Sequence, residues 1–123
     1  GYFSQLQDPN SILSQRSVYY DFDSYSVKSE YREMVLAHAK LLRDNPDASV
    51  ILQGNTDERG SREYNLALGQ RRADSVKSMM TLSGASDNQV EAVSFGEEKP
   101  RAVGSGESAW SQNRRTDIVY RGE

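Results

Sequence analysis

The chain has 123 residues, a formal net charge of −3, one histidine and no cysteine. The missing cysteine excludes disulfides, thiolate metal sites and thiol nucleophiles, and a single histidine excludes a histidine-based zinc site. The acidic balance lacks the basic surface typical of nucleic-acid-binding proteins, and no apolar run approaches the ~18 residues of a membrane span. The sequence therefore predicts one domain with a modest core, no metal and no cofactor.

The first half of the chain alternates between strand and helix patterns. Residues 1–16 are polar and weakly periodic and predict a mobile lead-in. Residues 17–22 are β-branched and aromatic and predict the first strand. Between residues 27 and 45 the apolar positions recur every three or four residues, which predicts an amphipathic helix that Pro46 stops. Residues 49–52 predict a second, short strand.

The second half continues the alternation. A long helix is predicted to begin near Ser61 or Glu63, and Gly69 in its middle costs about 1 kcal/mol relative to alanine, so we expect a close packing partner over that glycine. The alternation predicts an α/β fold, an α+β sandwich with a mixed or partly parallel sheet packed against helices. The apolar face of the long helix is expected to carry Leu66, Gly69, Ala73, Val76 and Met80. Residues 90–95 and 116–120 predict strands, 97–108 a loop and 109–114 a helical turn.

An acid, a hydroxyl, an amide and several guanidiniums lie together at the strand-to-helix junction in residues 53–77. Such a group of side chains suits a small zwitterion, because a carboxylate such as Asp57 accepts from an ammonium and a guanidinium such as Arg72 forks onto a carboxylate. From spacing alone, a solvated turn acid and a surface arginine are the better explanation, since Arg72 lies several turns along the helix.

A second turn has a similar position. Phe22 and Asp23 leave the first strand just as Thr56 and Asp57 leave the second. If those strands are parallel neighbours, both turns lie at the edge where α/β sheets bind ligands. An Asp23 that merely starts a turn or caps the first helix explains the residue equally well.

Other candidate sites have weaker signals. His38 lies on an apolar helix face, which is typical of a core histidine rather than a catalytic base. The arginine pairs at 71–72 and 114–115 are typical of salt-bridged surfaces. The acidic pairs at 57–58 and 97–98 suggest a glycosidase only weakly, because none lies in an apolar stretch that would raise its pKa.

Four strings occur in a fixed order: VYYDFDSYSVKSEY, AHAKLLRDNP, QGNTDERGSREYNLALGQRRADSVKSM and SFGEEKPRAVGSGESAWSQNRR. Together they resemble the peptidoglycan-associated lipoproteins of Gram-negative bacteria, part of the wider family of OmpA-like domains, from about Ser17 to Tyr120. The order TDERG, EYN, LG-x-RRA, SFGEEKP and NRR separates them from OmpA itself and from flagellar-stator relatives. The resemblance implies a compact sandwich in which helices cover a small mixed sheet of about four strands.

The resemblance also implies a function. Members bind peptidoglycan non-covalently through the meso-diaminopimelate of its peptide stem and catalyse no reaction. Asp57 is then expected to hold the free ammonium and Arg72 the free carboxylate, against the preference from spacing, while Leu68 forms an apolar wall. The other residues expected to line the site are Phe22, Asp23, Thr56, Glu58 and Arg59.

Partners and location are implied as well. The family is held in the outer membrane by a lipidated N-terminal cysteine, faces the periplasm and works with the Tol system, chiefly TolB, and with other Tol or outer-membrane proteins. This chain has no cysteine, so we expect a soluble piece in which residues 1–16 are a tether remnant and 17–123 the domain. Asn55 stands where many relatives carry histidine. A cell-wall hydrolase and an adaptor whose main ligand is TolB are the rival functions.

Overall fold

A computed structural model describes residues 1–123. Helices pack on a four-stranded mixed sheet, which confirms the predicted α+β class. In chain order the elements are α1 (Tyr2–Gln7), β1 (Ser17–Tyr19), α2 (Arg32–Asp44), β2 (Val50–Asn55), α3 (Arg62–Leu82), β3 (Val90–Gly96), α4 (Glu107–Asn113) and β4 (Arg115–Tyr120), with 3-10 turns at Ile12–Ser14, Ser29–Tyr31 and Asp87–Gln89.

The strand order is β1-β4-β2-β3. β2 pairs in parallel with β3 and antiparallel to β4, and β1 pairs antiparallel to β4. β1 and β2 therefore run in the same direction but are not neighbours, because β4 lies between them, and the neighbour pairing that we considered is wrong. Their carboxyl ends still lie at one edge of the sheet, which brings the segment after Tyr19 towards the segment after Asn55.

α3 packs across β2 and β3, and α2 packs beside α3. The hydroxyl of Ser61 caps α3 by accepting the Tyr64 N–H at 3.0 Å. Leu66 is 36% exposed rather than in the core, so the predicted face of α3 was wrong at that position, and Leu68 is buried instead. The buried face of α3 consists of Asn65, Leu68, Gly69, Arg72, Ala73, Val76 and Met80.

Gly69 has the close packing partner that its sequence position predicted. A Cβ atom on Gly69 would lie 2.3 Å from the Ser94 hydroxyl and 3.0 Å from the Gly54 carbonyl oxygen. A Cβ atom on Gly54 would lie 1.8 Å from the Gly69 carbonyl oxygen. The two glycines allow the backbone of α3 to contact the backbone of β2 directly. This contact sets the distance between the first half of α3 and the sheet.

The first residues of the chain are part of the packed structure. Leu6 of α1 and Leu13 are buried in the core. Arg16 donates from Nε to the Leu13 carbonyl at 2.9 Å and forms an ion pair with Glu123. The expectation of a mobile lead-in is therefore wrong for this segment, because the two buried leucines anchor it. The prediction failed because polar residues outnumber those leucines in the sequence.

A candidate ligand-binding cavity

The largest cavity has a volume of about 360 Å³ and lies at the sheet edge where β1 and β2 end. The loop after β1, the turn after β2 and the first turns of α3 enclose it. All the residues expected from the resemblance line it except Glu58. The lining residues are Phe22, Asp23, Thr56, Asp57, Arg59, Gly60, Tyr64, Asn65, Leu68 and Arg72.

Asp57 presents a buried carboxylate whose two oxygens are both engaged. Oδ1 accepts from the backbone N–H of Arg59 at 3.0 Å and from its Nε at 3.2 Å, and Oδ2 accepts from Arg59 Nη2 at 2.8 Å. Arg114 Nη1 lies 3.5 Å from Oδ2. Burial opposes ionisation, but the hydrogen bonds from Arg59 outweigh it and hold the pKa of Asp57 below its ordinary value. The group is therefore ionised at neutral pH.

Arg72 reaches the same cavity from α3 and is only 1% exposed. Its Nε donates to the Ser24 carbonyl at 2.8 Å, Nη1 to the Asn55 carbonyl at 2.9 Å and Nη2 to the Asp21 carbonyl at 3.2 Å. Burial lowers the pKa of Arg72 to about 10, so the guanidinium remains charged at pH 7. The preference from spacing for a surface arginine is wrong, because the side chain runs inward beneath the loop after β1.

Arg72 also differs from the other buried arginines in its lack of a counter-ion. Arg114 pairs with Glu107 at 2.7 Å, and Arg115 pairs with Asp117 at 3.0 Å. No Asp or Glu oxygen lies within 4.0 Å of the Arg72 guanidinium. Three of the five N–H groups of Arg72 donate to backbone carbonyls. The positive charge and two N–H groups without a partner remain in the cavity wall.

Arg59 covers Asp57 and is itself held between two aromatic rings. Its guanidinium carbon lies 4.0 Å from the ring centre of Phe22 and 4.0 Å from that of Trp110. The side chain is 32% exposed. This arrangement, the Arg59 clamp (Phe22, Arg59 and Trp110), links the loop after β1 to α4 across the mouth of the site.

Glu58 points away from the cavity, contrary to expectation. Its carboxylate accepts from the Ser105 hydroxyl at 3.1 Å and from Trp110 Nε1 at 3.3 Å. It lines a smaller neighbouring cleft instead. Glu58 therefore ties the turn after β2 to the loop before α4, and consecutive residues in a turn point in different directions, which explains why Glu58 and its neighbours Asp57 and Arg59 differ.

Three lining residues were not among the expected site residues: Gly60, Tyr64 and Asn65. The Tyr64 hydroxyl donates to the Asp23 carboxylate, and Asn65 Nδ2 donates to Glu97 at 2.8 Å. A helical signal was available for Asn65, because its spacings of three to Leu68 and of seven to Arg72 place the three on one face. Tyr64 offered an aromatic ring that could stack on a ligand, although half-buried packing was the more common explanation, and Gly60 carries no comparable signal.

Asn55 is buried at the end of β2 but does not line the cavity. Its Nδ2 donates to the Gln53 carbonyl at 2.9 Å, and its Oδ1 has no partner. Its own carbonyl accepts from Arg72. Asn55 therefore influences the site through the backbone that holds Arg72, not through direct contact with a ligand.

The comparisons with known proteins identify the family. The OmpA family profile matches residues 19–114. The peptidoglycan-associated lipoprotein of Pasteurella multocida is 49% identical over 110 residues, which is 88% of this chain and 73% of that protein. The one from Haemophilus influenzae is 48% identical over 110 residues, 88% of this chain and 72% of that protein. The chain belongs to the peptidoglycan-associated lipoproteins of the OmpA family.

Solved structures support the same assignment for this lipoprotein-family chain. The crystal structure of the peptidoglycan-associated lipoprotein from Burkholderia pseudomallei is 55% identical, with a TM-score of 0.93, and the match covers 95% of this chain and 99% of that one. The C-terminal domain of Helicobacter pylori MotB matches with a TM-score of 0.77 at 20% identity, covering 86% of this chain and 83% of that one. The second match shows a shared fold alone. The resemblance predicted from motifs is thereby confirmed.

Two further observations bound the chemistry of this family member. No group of three or more His, Asp or Glu side chains is arranged to hold a metal ion. No helix combines the length and the apolar character that crossing a membrane requires.

Proposed function

We propose that the chain binds peptidoglycan non-covalently through the meso-diaminopimelate of its peptide stem. The observation that carries the proposal is the uncompensated, buried guanidinium of Arg72 in the wall of a cavity that also holds the Asp57 carboxylate. Buried charges are normally paired, because an isolated ion loses its hydration. A ligand carboxylate would supply the missing partner, and the ligand ammonium would pair with Asp57.

The rest of the cavity fits the middle of such a ligand. Diaminopimelate separates its two amino-acid ends by a short methylene chain, and Leu68 and Phe22 offer apolar surface between the charged groups. Thr56 does not compete for the ligand, because its hydroxyl donates to the Asp57 carbonyl at 2.9 Å. The spare Nη donors of Arg72 suit a carboxylate oxygen.

The names of the relatives agree with this function, since they are peptidoglycan-associated lipoproteins. The proposal for the whole protein is that a lipid anchor holds it in the outer membrane with this domain in the periplasm. Binding the wall would then tie the outer membrane to peptidoglycan as part of the Tol-Pal system.

The expected affinity for one stem is modest. A charge-assisted hydrogen bond contributes about 1.5–3 kcal/mol after desolvation, and the loss of translational and rotational freedom on binding opposes that gain. Many anchored copies facing one polymer would raise the overall attachment far above the affinity of each copy, because later contacts form at high effective concentration.

Co-sedimentation with purified diaminopimelate-containing peptidoglycan tests the proposal. Wild type should pellet with the wall, and Asp57→Asn, which keeps the side-chain shape but removes the charge, should remain in the supernatant. Asp47→Asn is the matched control, because Asp47 is an exposed turn acid before β2, at the opposite end of that strand from the cavity. Equal pelleting of wild type and Asp57→Asn would contradict the site. A clearing band on a wall-embedded gel would instead favour the rival hydrolase.

A second candidate function is that of an adaptor for TolB. The aromatic residues around the cavity favour it, because Phe22 is 59% exposed, Tyr25 48% and Tyr64 47%. Exposed aromatic side chains of this kind are enriched in protein–protein interfaces. If TolB binds there, soluble TolB and peptidoglycan should compete for the chain, whereas simultaneous binding would place the TolB contact elsewhere.

A further inference from the structure

In the free protein, a side chain of the protein itself occupies the position that the proposed function gives to the ligand ammonium. Arg59 donates from Nε and from Nη2 to the two oxygens of the Asp57 carboxylate, at 3.2 and 2.8 Å. Its backbone N–H supplies a third hydrogen bond to the same group. With Arg114 also 3.5 Å away, the carboxylate has no cation missing.

Neighbouring side chains fix the position of the Arg59 guanidinium. The rings of Phe22 and Trp110 hold its guanidinium from both sides at 4.0 Å. Trp110 is in turn held by Glu58, which accepts from its Nε1 at 3.3 Å and from Ser105 at 3.1 Å. A guanidinium between two rings keeps its charge while it loses water, so the Arg59 clamp stabilises the pair with Asp57.

We propose that Arg59 is an internal competing ligand: it occupies the ammonium position of the site, and recognition exchanges its guanidinium for the ammonium of a zwitterion. This inference rests on the proposed function. The exchange moves Arg59 off Asp57 and out of the clamp, while the backbone N–H of Arg59 and the side chain of Arg114 stay in place.

The charges explain why a zwitterion displaces Arg59 more readily than a simple amine does. A ligand with an ammonium alone exchanges one cation beside Asp57 for another and leaves Arg72 without a carboxylate partner, so it gains little over the internal pair. A ligand with an ammonium and a carboxylate replaces the Asp57–Arg59 pair and gives Arg72 a counter-ion at the same time. Simple amines should therefore compete poorly with the internal guanidinium.

Calorimetric titration of wild type, Arg59→Gln and Arg71→Gln tests the exchange. Arg71 is the matched control, because it is an exposed arginine next to Arg72 that forms no ion pair and lies over Tyr25. The probes are a diaminopimelate muropeptide and its amidated form, which keeps the ammonium but lacks the free carboxylate. Arg59→Gln should bind the first about fivefold more tightly than wild type, as expected for losing one partly exposed competing ion pair. The amidated form should gain a similar factor, because both probes carry the ammonium that displaces Arg59, and Arg71→Gln should match wild type.

Fluorescence of Trp110 supplies an independent readout. It is the single tryptophan of the chain, and it contacts Arg59 but does not line the cavity. Adding the muropeptide should change the Trp110 emission of wild type, and the dissociation constant from this change should equal the one from calorimetry. The emission of Arg59→Gln should change much less. Heat of binding with unchanged emission, or affinity in Arg59→Gln equal to or below wild type, would overturn the exchange. Absence of heat in all three proteins would instead overturn the proposed function.

Discussion

The guanidinium of Arg72 donates a hydrogen bond from Nη1 to the carbonyl of Asn55, the last residue of β2, at 2.9 Å. This hydrogen bond joins the middle of α3 to the backbone that leads directly into Asp57. The Arg72 carbonyl is tied as well, because it accepts from the Tyr20 hydroxyl at 2.9 Å. Arg72 therefore fixes the geometry of the cavity in addition to supplying its positive charge.

Replacing Arg72 should weaken the fold as well as the site. In Arg72→Met the carbonyls of Asp21, Ser24 and Asn55 lose their donor. Because unsatisfied buried acceptors are costly, we expect a loss of about 2–4 kcal/mol in the free energy of unfolding, measured by urea denaturation. Asp57→Asn should lose less than Arg72→Met, and it is the cleaner probe of binding. Equal stability of Arg72→Met and wild type would contradict the structural role.

Sequence reasoning located the elements well because their local signals were strong. The heptad-like spacing in α2, the Ser61 cap of α3 and the mid-helix Gly69 each follow from local chemistry. The lead-in was misjudged because two leucines among polar residues leave almost no periodic signal, and only the tertiary structure shows that Leu6 and Leu13 are buried.

The contact between Gly54 and Gly69 predicts a graded response to added methyl groups. Gly54→Ala should destabilise more than Gly69→Ala, because its Cβ would meet a backbone oxygen at 1.8 Å, whereas the tightest contact of the other is the movable Ser94 hydroxyl at 2.3 Å. Overpacking of this kind costs about 1–3 kcal/mol, and alanine in a helix returns about 1 kcal/mol.

Thermal unfolding measures this difference. Removing the hydroxyl in the double variant Gly69→Ala with Ser94→Ala should recover part of the loss, since the nearest obstacle is gone. No recovery would mean that the contact with the Gly54 carbonyl, at 3.0 Å, dominates instead.

His38 should make the stability of the fold depend on pH. Its Nε2 donates to the Gln15 carbonyl at 2.8 Å, and its Nδ1 accepts from the Tyr120 hydroxyl at 2.7 Å, so the neutral ring fits the core. Burial lowers the pKa of His38 from 6.5 to about 4. Because the folded pKa lies below the unfolded one, this contribution is complete above about pH 6.5 and is lost as the pH falls towards 4.

The expected loss across that window is about 3 kcal/mol, at about 1.4 kcal/mol for each pKa unit. Denaturant unfolding at pH 7 and pH 4.5 measures it. His38→Gln should have a lower free energy of unfolding than wild type at pH 7. That free energy should change less between the two pH values, since His38 is the only histidine in the chain. A variant with the same pH dependence as wild type would assign the effect to carboxylates instead.

The site was less predictable than the fold. Spacing alone favoured a surface position for Arg72, because no local pattern shows that a side chain halfway along a helix turns inward under a loop. The resemblance predicted that Asp57 and Arg72 share one site. It did not predict that Arg59 covers Asp57 or that Glu58 contacts Trp110. Such details depend on where α4 and its preceding loop lie, which is set by long-range packing.

The most direct test of the central claim is a calorimetric titration with two muropeptides that differ at one position, one carrying meso-diaminopimelate and the other lysine. Lysine keeps the ammonium but lacks the second carboxylate. The account predicts measurable binding of the diaminopimelate form and little or none of the lysine form, because only the first gives Arg72 a counter-ion. Equal binding of both would contradict the role of Arg72 in recognition.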